Sequence, residues 1–209
     1  MANARTSLWE RYAVPALVDW GCGVRPVKRQ RDKVVPLAQG RVLELGVGTG
    51  HNLACYDAER VAQVVAIDPS APLLRRAARA AREAPVEVEL VEASAEALPF
   101  DDASFDTVVV TYTLCSIPDA VGALREARRA LRPGGVLRFV EHGLAPDPDV
   151  AAWQRRLDPV WSRTIGGGCH LDRDIPALLT AAGFEVDRFE TIYLPGPRWL
   201  NFNYWGAAR

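Results

Sequence analysis

Lysine is nearly missing from this chain: Lys28 and Lys33 are the only two, and arginine supplies the rest of the 25 basic side chains. We read the arginine excess as coding bias. Set against 26 acidic residues, it leaves a formal net charge of −1, which gives no overall attraction to nucleic acid. Cysteine is scarce as well. Cys22, Cys55, Cys115 and Cys169 are scattered, with no Cys-x-x-Cys pair and no histidine at finger spacing. That argues against a disulfide framework and against a metal site, and it fits reduced thiols in a cytoplasmic protein. Long apolar runs are absent too, because Glu10, Arg11 and Asp19 interrupt the N-terminal segment. Neither a signal-peptide core nor a spanning helix is expected. A length of 209 residues fits one well-buried domain and is short for two.

What is present is concentrated around VLELGVGTG, residues 42–50, an apolar run ending in glycines at alternate positions. Val42, Leu43 and Leu45 suit a strand covered on both faces. Gly46, Gly48 and Gly50 suit a loop whose backbone approaches a ligand closely. The spacing is Gly-x-Gly-x-Gly, which differs from the Gly-x-Gly-x-x-Gly of nicotinamide-dependent enzymes. A second apolar strand, residues 61–68, ends in Asp68, 22 residues beyond Gly46. In a strand–helix–strand unit that distance brings a carboxylate beside the glycine loop, where it can accept hydrogen bonds from a ribose diol.

Together with VVAIDPS, EASAEALPFDDASFDTVVV and LREARRALRPGG, these words resemble the class I S-adenosylmethionine-dependent methyltransferases, in unbroken order over residues 41 to 140. The resemblance implies an α/β, doubly wound, seven-stranded and mostly parallel sheet, a Rossmann-like methyltransferase fold with an antiparallel last strand. It also implies S-adenosylmethionine as methyl donor, S-adenosylhomocysteine as product, and no metal.

The pattern divides into a helical arm (1–40), a cofactor-binding core (41–140) and an acceptor-side segment ending in a hairpin (141–209). Residues 7 to 24 read as one or two short amphipathic helices, and the basic stretch 25–33 as the start of a helix running towards Leu37. This arm is read chiefly as a cover packed on the domain; the competing reading is a surface resting peripherally on an anionic membrane. Further helices are expected at 51–58, 72–84 and 119–131. Strands are expected at 86–91, 105–112 and 136–140, with Gly134-Gly135 as the stop before the last of these. Beyond Glu141, a helix opening at Asp147-Pro148 should present Val150, Trp153, Leu157, Val160, Trp161 and Thr164 as one face. A glycine loop, a helix at 175–182 and strands at 184–194 and 201–207 complete the chain.

On the donor side the resemblance assigns Gly46, Gly48, Thr49, Gly50 and Thr111 to the methionine portion, with Glu44 orienting its amino group. Asp68 takes the ribose hydroxyls, and Pro69 and Ser70 lie under the adenine. Ser94, Ala95 and Glu96 meet the adenine edge, Ser94 standing where the family usually has aspartate. Residues 112–115, including Cys115, line the methyl's route. Methyl transfer from a sulfonium is an in-line displacement, so an acceptor must be aligned and unprotonated. Glu141, His142, His170 and Asp174 are the candidates for that task.

TLCS, FVEHG, WQRRLDPVW and GGGCHLDRD narrow the resemblance to the subgroup of thiol S-methyltransferases and phosphatidylethanolamine N-methyltransferase-like proteins. The animal thiol enzymes carry an N-terminal membrane anchor that this sequence is read as lacking. A small thiol or similar soft nucleophile is therefore the expected acceptor. Phospholipid N-methylation, or cofactor binding without turnover, are the alternatives.

Overall fold

The computed structural model describes residues 14–186 and 188–209. Seven strands form one sheet: β1 (Gly40–Leu45), β2 (Val61–Asp68), β3 (Val88–Glu92), β4 (Phe105–Thr111), β5 (Leu131–His142), β6 (Arg188–Tyr193) and β7 (Phe202–Ala208). Their order across the sheet is β3-β2-β1-β4-β5-β7-β6. β1 to β5 pair in parallel, while β7 lies antiparallel between β5 and β6. The order reverses between β1 and β4, and such a reversal opens a crevice beyond the carboxyl ends of the strands.

The apolar runs of β1, β2 and β4 alternate between two cores. Leu43, Leu45, Val65, Ile67, Val108 and Val110 face one side, with Leu124, Ile175 and Leu179 packed on them. Val42, Val64, Ala66 and Val109 face the other, against Leu53, Tyr56 and Ala77. The described helices are α1 (Val14–Gly23), α2 (Arg25–Arg31), α3 (Ala71–Glu83), α4 (Ala120–Ala130), α5 (Pro148–Trp161) and α6 (Ile175–Ala181), and α3 to α6 contribute residues to the two cores. Three begin at polar caps: Ser70, Asp119 and Asp174 accept backbone hydrogen bonds from Leu73, Gly122 and Ala177 at 3.4, 2.8 and 3.1 Å.

Three expectations outside the arm need correction. Residues 51–58 do not form an α-helix; only a 3₁₀ turn at Leu53–Cys55 is present. The chain tightens there so that the Asn52 amide and the Tyr56 hydroxyl both turn inward to Glu44. The start of β5 precedes Gly134-Gly135 instead of following it, because the two glycines lie in an irregularity of the β4 pairing.

The third correction concerns α5. Its buried residues are Val150, Ala151, Gln154 and Asp158, while Trp153 and Val160 are exposed. Two polar side chains win the inner face because loops beside the helix need partners. Gln154 accepts from Ala145 N–H at 2.8 Å and donates to the Gly143 carbonyl at 2.9 Å. Asp158 accepts from Leu171 N–H at 2.6 Å. A buried backbone group left unpaired costs about 1–3 kcal/mol, comparable with burying one apolar side chain.

Of the arm, the portion before residue 14 lies outside the described residues. The basic helix is shorter than expected: α2 stops at Arg31, and a separate 3₁₀ turn covers Val35–Leu37. Arg31 is buried instead of wetted. No helix among the described residues is long and apolar enough to cross a membrane.

Candidate functional site

A cavity of about 650 Å³ opens at the carboxyl ends of β1, β2 and β4. Its floor is the glycine loop. Gly46, Gly48 and Gly50 all have positive φ, but for different neighbours. A Cβ on Gly46 would fall 2.3 Å from Thr113 Cγ2, and one on Gly50 would fall 2.8 Å from Ala80 Cβ, so these two let protein elements close on the loop. A Cβ on Gly48 would meet no atom within 4 Å among the described residues. Since Gly48 lines the cavity, its bare face is presented to open space that a ligand could fill.

Asp68 ends β2 at the cavity edge and is 6% exposed. Its two oxygens accept from Gly48 N–H at 3.0 Å and Ser70 N–H at 2.9 Å. Burial raises its pKa, and these two backbone bonds oppose the rise. A carboxylate has about four lone-pair sites, so two remain for a diol. Glu44 lies deeper and is 1% exposed. Burial pushes its carboxyl up to about 7 even though Tyr56 and Asn52 donate to it at 2.7 and 3.0 Å. Asn52 also bridges to Thr111, so the glutamate's partners come from this chain itself.

Pro69, Ser70, Ser94, Ala95 and Glu96 form the far wall. Ser94 and Glu96 are tied to each other, with Ser94 Oγ donating to Glu96 Oε2 at 3.2 Å; the other Glu96 oxygen accepts from Asp119 N–H at 2.7 Å. Thr49 and Thr111 also line the space, whereas Gly50 and Cys115 are not among its lining residues. Cys115 is buried behind Ser116, its Sγ 3.4 Å from the Ser116 hydroxyl oxygen.

The acceptor-side candidates are not gathered at the cavity. Glu141 is fully buried; its Oε1 accepts from Thr113 N–H at 2.8 Å and Leu114 N–H at 3.2 Å, which fixes the loop after β4. Burial raises its pKa to about 7. His142 points to Cys169, with Nε2 3.1 Å from Sγ. His170 Nδ1 is 2.8 Å from Asp158. Asp174 caps α6. None of the four is among the residues lining the cavity.

Other side chains stand there instead. From the arm come Asp19, Cys22 and Arg31; from the loops come His51, Asn52, Tyr112 and Thr113. Asp19 is a hub that receives a short hydrogen bond from Thr49, lies 2.9 Å from His51 Nε2 and accepts from Arg76 at 3.1 Å. Burial would raise its pKa, but these partners outweigh burial and hold the carboxyl below its ordinary value. Arg31 is 4% exposed, donates to the Cys22 carbonyl and stacks 5.0 Å from the centre of the Tyr112 ring. Its Nε has no hydrogen-bond partner among the described residues. Tyr112 itself adopts φ of 53°, a strained conformation for a bulky residue, as the chain leaves β4 at the cavity. In sequence, the only signal for these arm residues was their unassigned charge.

Residues 43–139 match the model of the methyltransferase domain family. The chain is 35% identical to thiol S-methyltransferase TMT1B of Rattus norvegicus over 164 residues, 76% of this chain and 65% of that protein, so it spans about two thirds of that relative. It is 34% identical to demethylmenaquinone methyltransferase of Thermus thermophilus over 197 residues, covering 84% of this chain and 88% of the relative. Among solved structures, a SAM-dependent methyltransferase of Thermotoga maritima superposes with a TM-score of 0.67 at 22% identity, over 96% of this chain and 97% of the other. The fold, the ordered glycine-loop and aspartate words and these relatives place the chain in the family of S-adenosylmethionine-dependent methyltransferases.

Proposed function

We propose that this methyltransferase acts on a small thiol or a similarly soft nucleophile, with the donor held in the cavity beside the glycine loop. The observation that carries the acceptor reading is that His51, the histidine among the cavity's lining residues, has its Nε2 engaged 2.9 Å from Asp19, which leaves a single ring nitrogen as an imidazole base and suits an acceptor that ionises readily. An amine with a pKa near ~10.4 needs a base at neutral pH, whereas a thiol near ~8.5 supplies a few per cent of reactive thiolate unaided. The resemblance to thiol S-methyltransferase TMT1B over 76% of this chain agrees with that chemistry.

Within this reading Asp68 receives the ribose hydroxyls, and Gly48 gives the donor its close backbone approach. Glu44, Asn52 and Thr111 hold the cationic end of the methionine portion. Arg31, buried with an unpartnered Nε, supplies the positive charge for its carboxylate. Ser94, Ala95 and Glu96 meet the adenine edge. Glu141 acts by positioning: it anchors the N–H groups of Thr113 and Leu114, so the wall beside the methyl keeps its shape.

The test is a panel assay with labelled S-adenosylmethionine against small thiols, phenols, amines and phosphatidylethanolamine vesicles. Turnover should be greatest with thiols and rise with pH as the thiol ionises. Amine or lipid turnover exceeding that of every thiol overturns the acceptor assignment and leaves the methyltransferase family intact.

A further inference from the structure

Cys115, His142 and Cys169 come from three separate segments: the loop after β4, the last residue of β5, and the loop between α5 and α6. Their Sγ and Nε2 atoms nevertheless converge, all lying within 4.8 Å of one another. Two contacts hold the segments together. The His142 ring nitrogen sits 3.1 Å from Cys169 Sγ, and His170 N–H donates to the Cys115 carbonyl at 2.9 Å. A tetrahedral zinc ion with Zn–S near 2.3 Å and Zn–N near 2.0 Å needs ligand atoms separated by about 3.5–3.8 Å. The observed cluster fits that requirement after shifts of a few tenths of an ångström to about one ångström.

We propose that Cys115, His142 and Cys169 bind a single zinc ion through two thiolates and one imidazole. The proposal also gives the ion an exchangeable fourth position for a soft external ligand. Three protein ligands are the pattern of an open zinc site, as distinct from the four of a closed structural one. Cys115 is 2% exposed and His142 9%, but Cys169 is only partly buried, so the cluster has one accessible side. Gly167 and Gly168, both with positive φ, lead into Cys169 and let the loop fold over the cluster. A divalent ion would hold both sulfurs as thiolates. The sequence hid the site because successive ligands stand 27 residues apart, outside any finger spacing.

The identity of the fourth ligand rests on the thiol reading of the active site. Cys115 lies directly behind Ser116, and Ser116 and Gly167 both line the cavity, so the cluster shares a wall with the donor pocket. A thiol binding there would lose its proton to solvent and coordinate as the thiolate. Its sulfur lone pair would form the new S–C bond as the donor's sulfonium C–S bond breaks. The neutral thioether, a poorer ligand, would then leave.

The experiment uses the full chain purified without a chelating tag. Zinc content is measured by elemental mass spectrometry after dialysis, and cobalt(II) titration of the zinc-stripped protein is followed by absorption. The expected result is about one equivalent of metal and a near-ultraviolet sulfur-to-cobalt charge-transfer band, lost in Cys115→Ser and in Cys169→Ser. Calorimetric binding of S-adenosylhomocysteine by both variants serves as the control for folding. A folded, reduced parent that keeps no zinc and shows no such band overturns the site. Small thiols should shift the visible cobalt bands. Unchanged bands at saturating thiol overturn the fourth-ligand assignment. Failure of every thiol in the acceptor panel while the cobalt site forms overturns the thiol reading and the fourth-ligand assignment, and supports the three-residue site.

Discussion

The two flanks of the central crevice are built by different means. On the β1–β2 flank, the cavity-lining groups come from short contiguous words: the glycine loop, Asp68 to Ser70, and Ser94 to Glu96. Each word has a local closing bond: Gly50 N–H donates to the Val47 carbonyl at 2.9 Å, Ser70 N–H to Asp68 at 2.9 Å and Glu96 N–H to Ser94 Oγ at 3.2 Å. On the β4–β5 flank, positions depend on long-range pairs: Glu141 with the loop after β4, His170 with Asp158 of α5, and Tyr112 with Asn203 of β7. A locally closed site can be disrupted at one residue without disturbing the rest. A site tied across the fold passes each change into stability as well as function.

The sharpest way to probe that contrast is within the glycine loop. Gly46→Ala places a Cβ against Thr113 at a φ of +70°, so both strain and clash act on the protein itself. We expect a stability loss of about 2–4 kcal/mol, the left-handed penalty of ~1–2 kcal/mol plus the displaced neighbour, and no measurable cofactor binding. Gly48→Ala carries only the left-handed penalty, since no described atom stands within 4 Å. Its thermal unfolding should shift modestly while affinity for S-adenosylhomocysteine falls at least tenfold. Parental affinity in folded Gly48→Ala would show that the ligand does not approach that face.

Asp68→Ala comes next in size. Losing hydrogen bonds to a charged group weakens binding by about 1–3 kcal/mol. Part of the loss would come from Gly48 N–H and Ser70 N–H, which Asp68 now holds. Asp68→Asn retains one acceptor oxygen and should fall between parent and alanine. If titration calorimetry finds the alanine variant unaltered, the ribose assignment fails.

Much of the donor flank was legible in sequence because its constraints are local. Apolar runs ending in Gly46 and Asp68 fix a crossover unit by length alone, and Ser70 and Asp119 mark helix starts by type and position. The arm's share of the pocket was not legible. Asp19 and Arg31 reach the cavity through packing of α1 and α2, and nothing in their neighbourhood distinguishes them from wetted charges. In α5 the apolar spacing pointed to the wrong face, although Val150, Ala151, Gln154 and Asp158 also stand at helical spacing. The polar members carry no signal of burial in sequence because their partners, at residues 143, 145 and 171, are set by tertiary structure.

The buried glutamates give a pH signature common to both flanks. Glu44 and Glu141 both have pKa values raised to about 7 by burial, above the ordinary 4.5 of an unfolded chain. Between those values the native state holds protons that the unfolded state has released, so native stability falls as pH rises from about 4.5 to 7. The loss should be of the order of 1–3 kcal/mol per group. Glu141→Gln keeps an acceptor for Thr113 and Leu114 while removing one of the two ionisations. Its melting temperature should therefore decline less between about pH 5 and pH 8 than that of the parent. An unchanged slope would mean that Glu141 is ionised in the native protein throughout this range.

The smallest effect separates architecture from chemistry on the acceptor flank. Asp174 lies four residues beyond His170 and looked chemical in sequence, yet its carboxylate accepts from Ala177 N–H at the start of α6. Removing such a cap costs about 1 kcal/mol. Asp174→Ala should lower thermal stability by that amount, because α6 contributes the fully buried Ile175 and Leu179 to the larger core. Asp174→Asn or Asp174→Ser, which can still cap, should recover most of the loss. With every acceptor that turns over, kcat and KM should match the parent at temperatures where both proteins are folded. A change in the pH dependence of kcat/KM in Asp174→Ala, undiminished in Asp174→Ser, would return this residue to the chemistry and place α6 within reach of the acceptor.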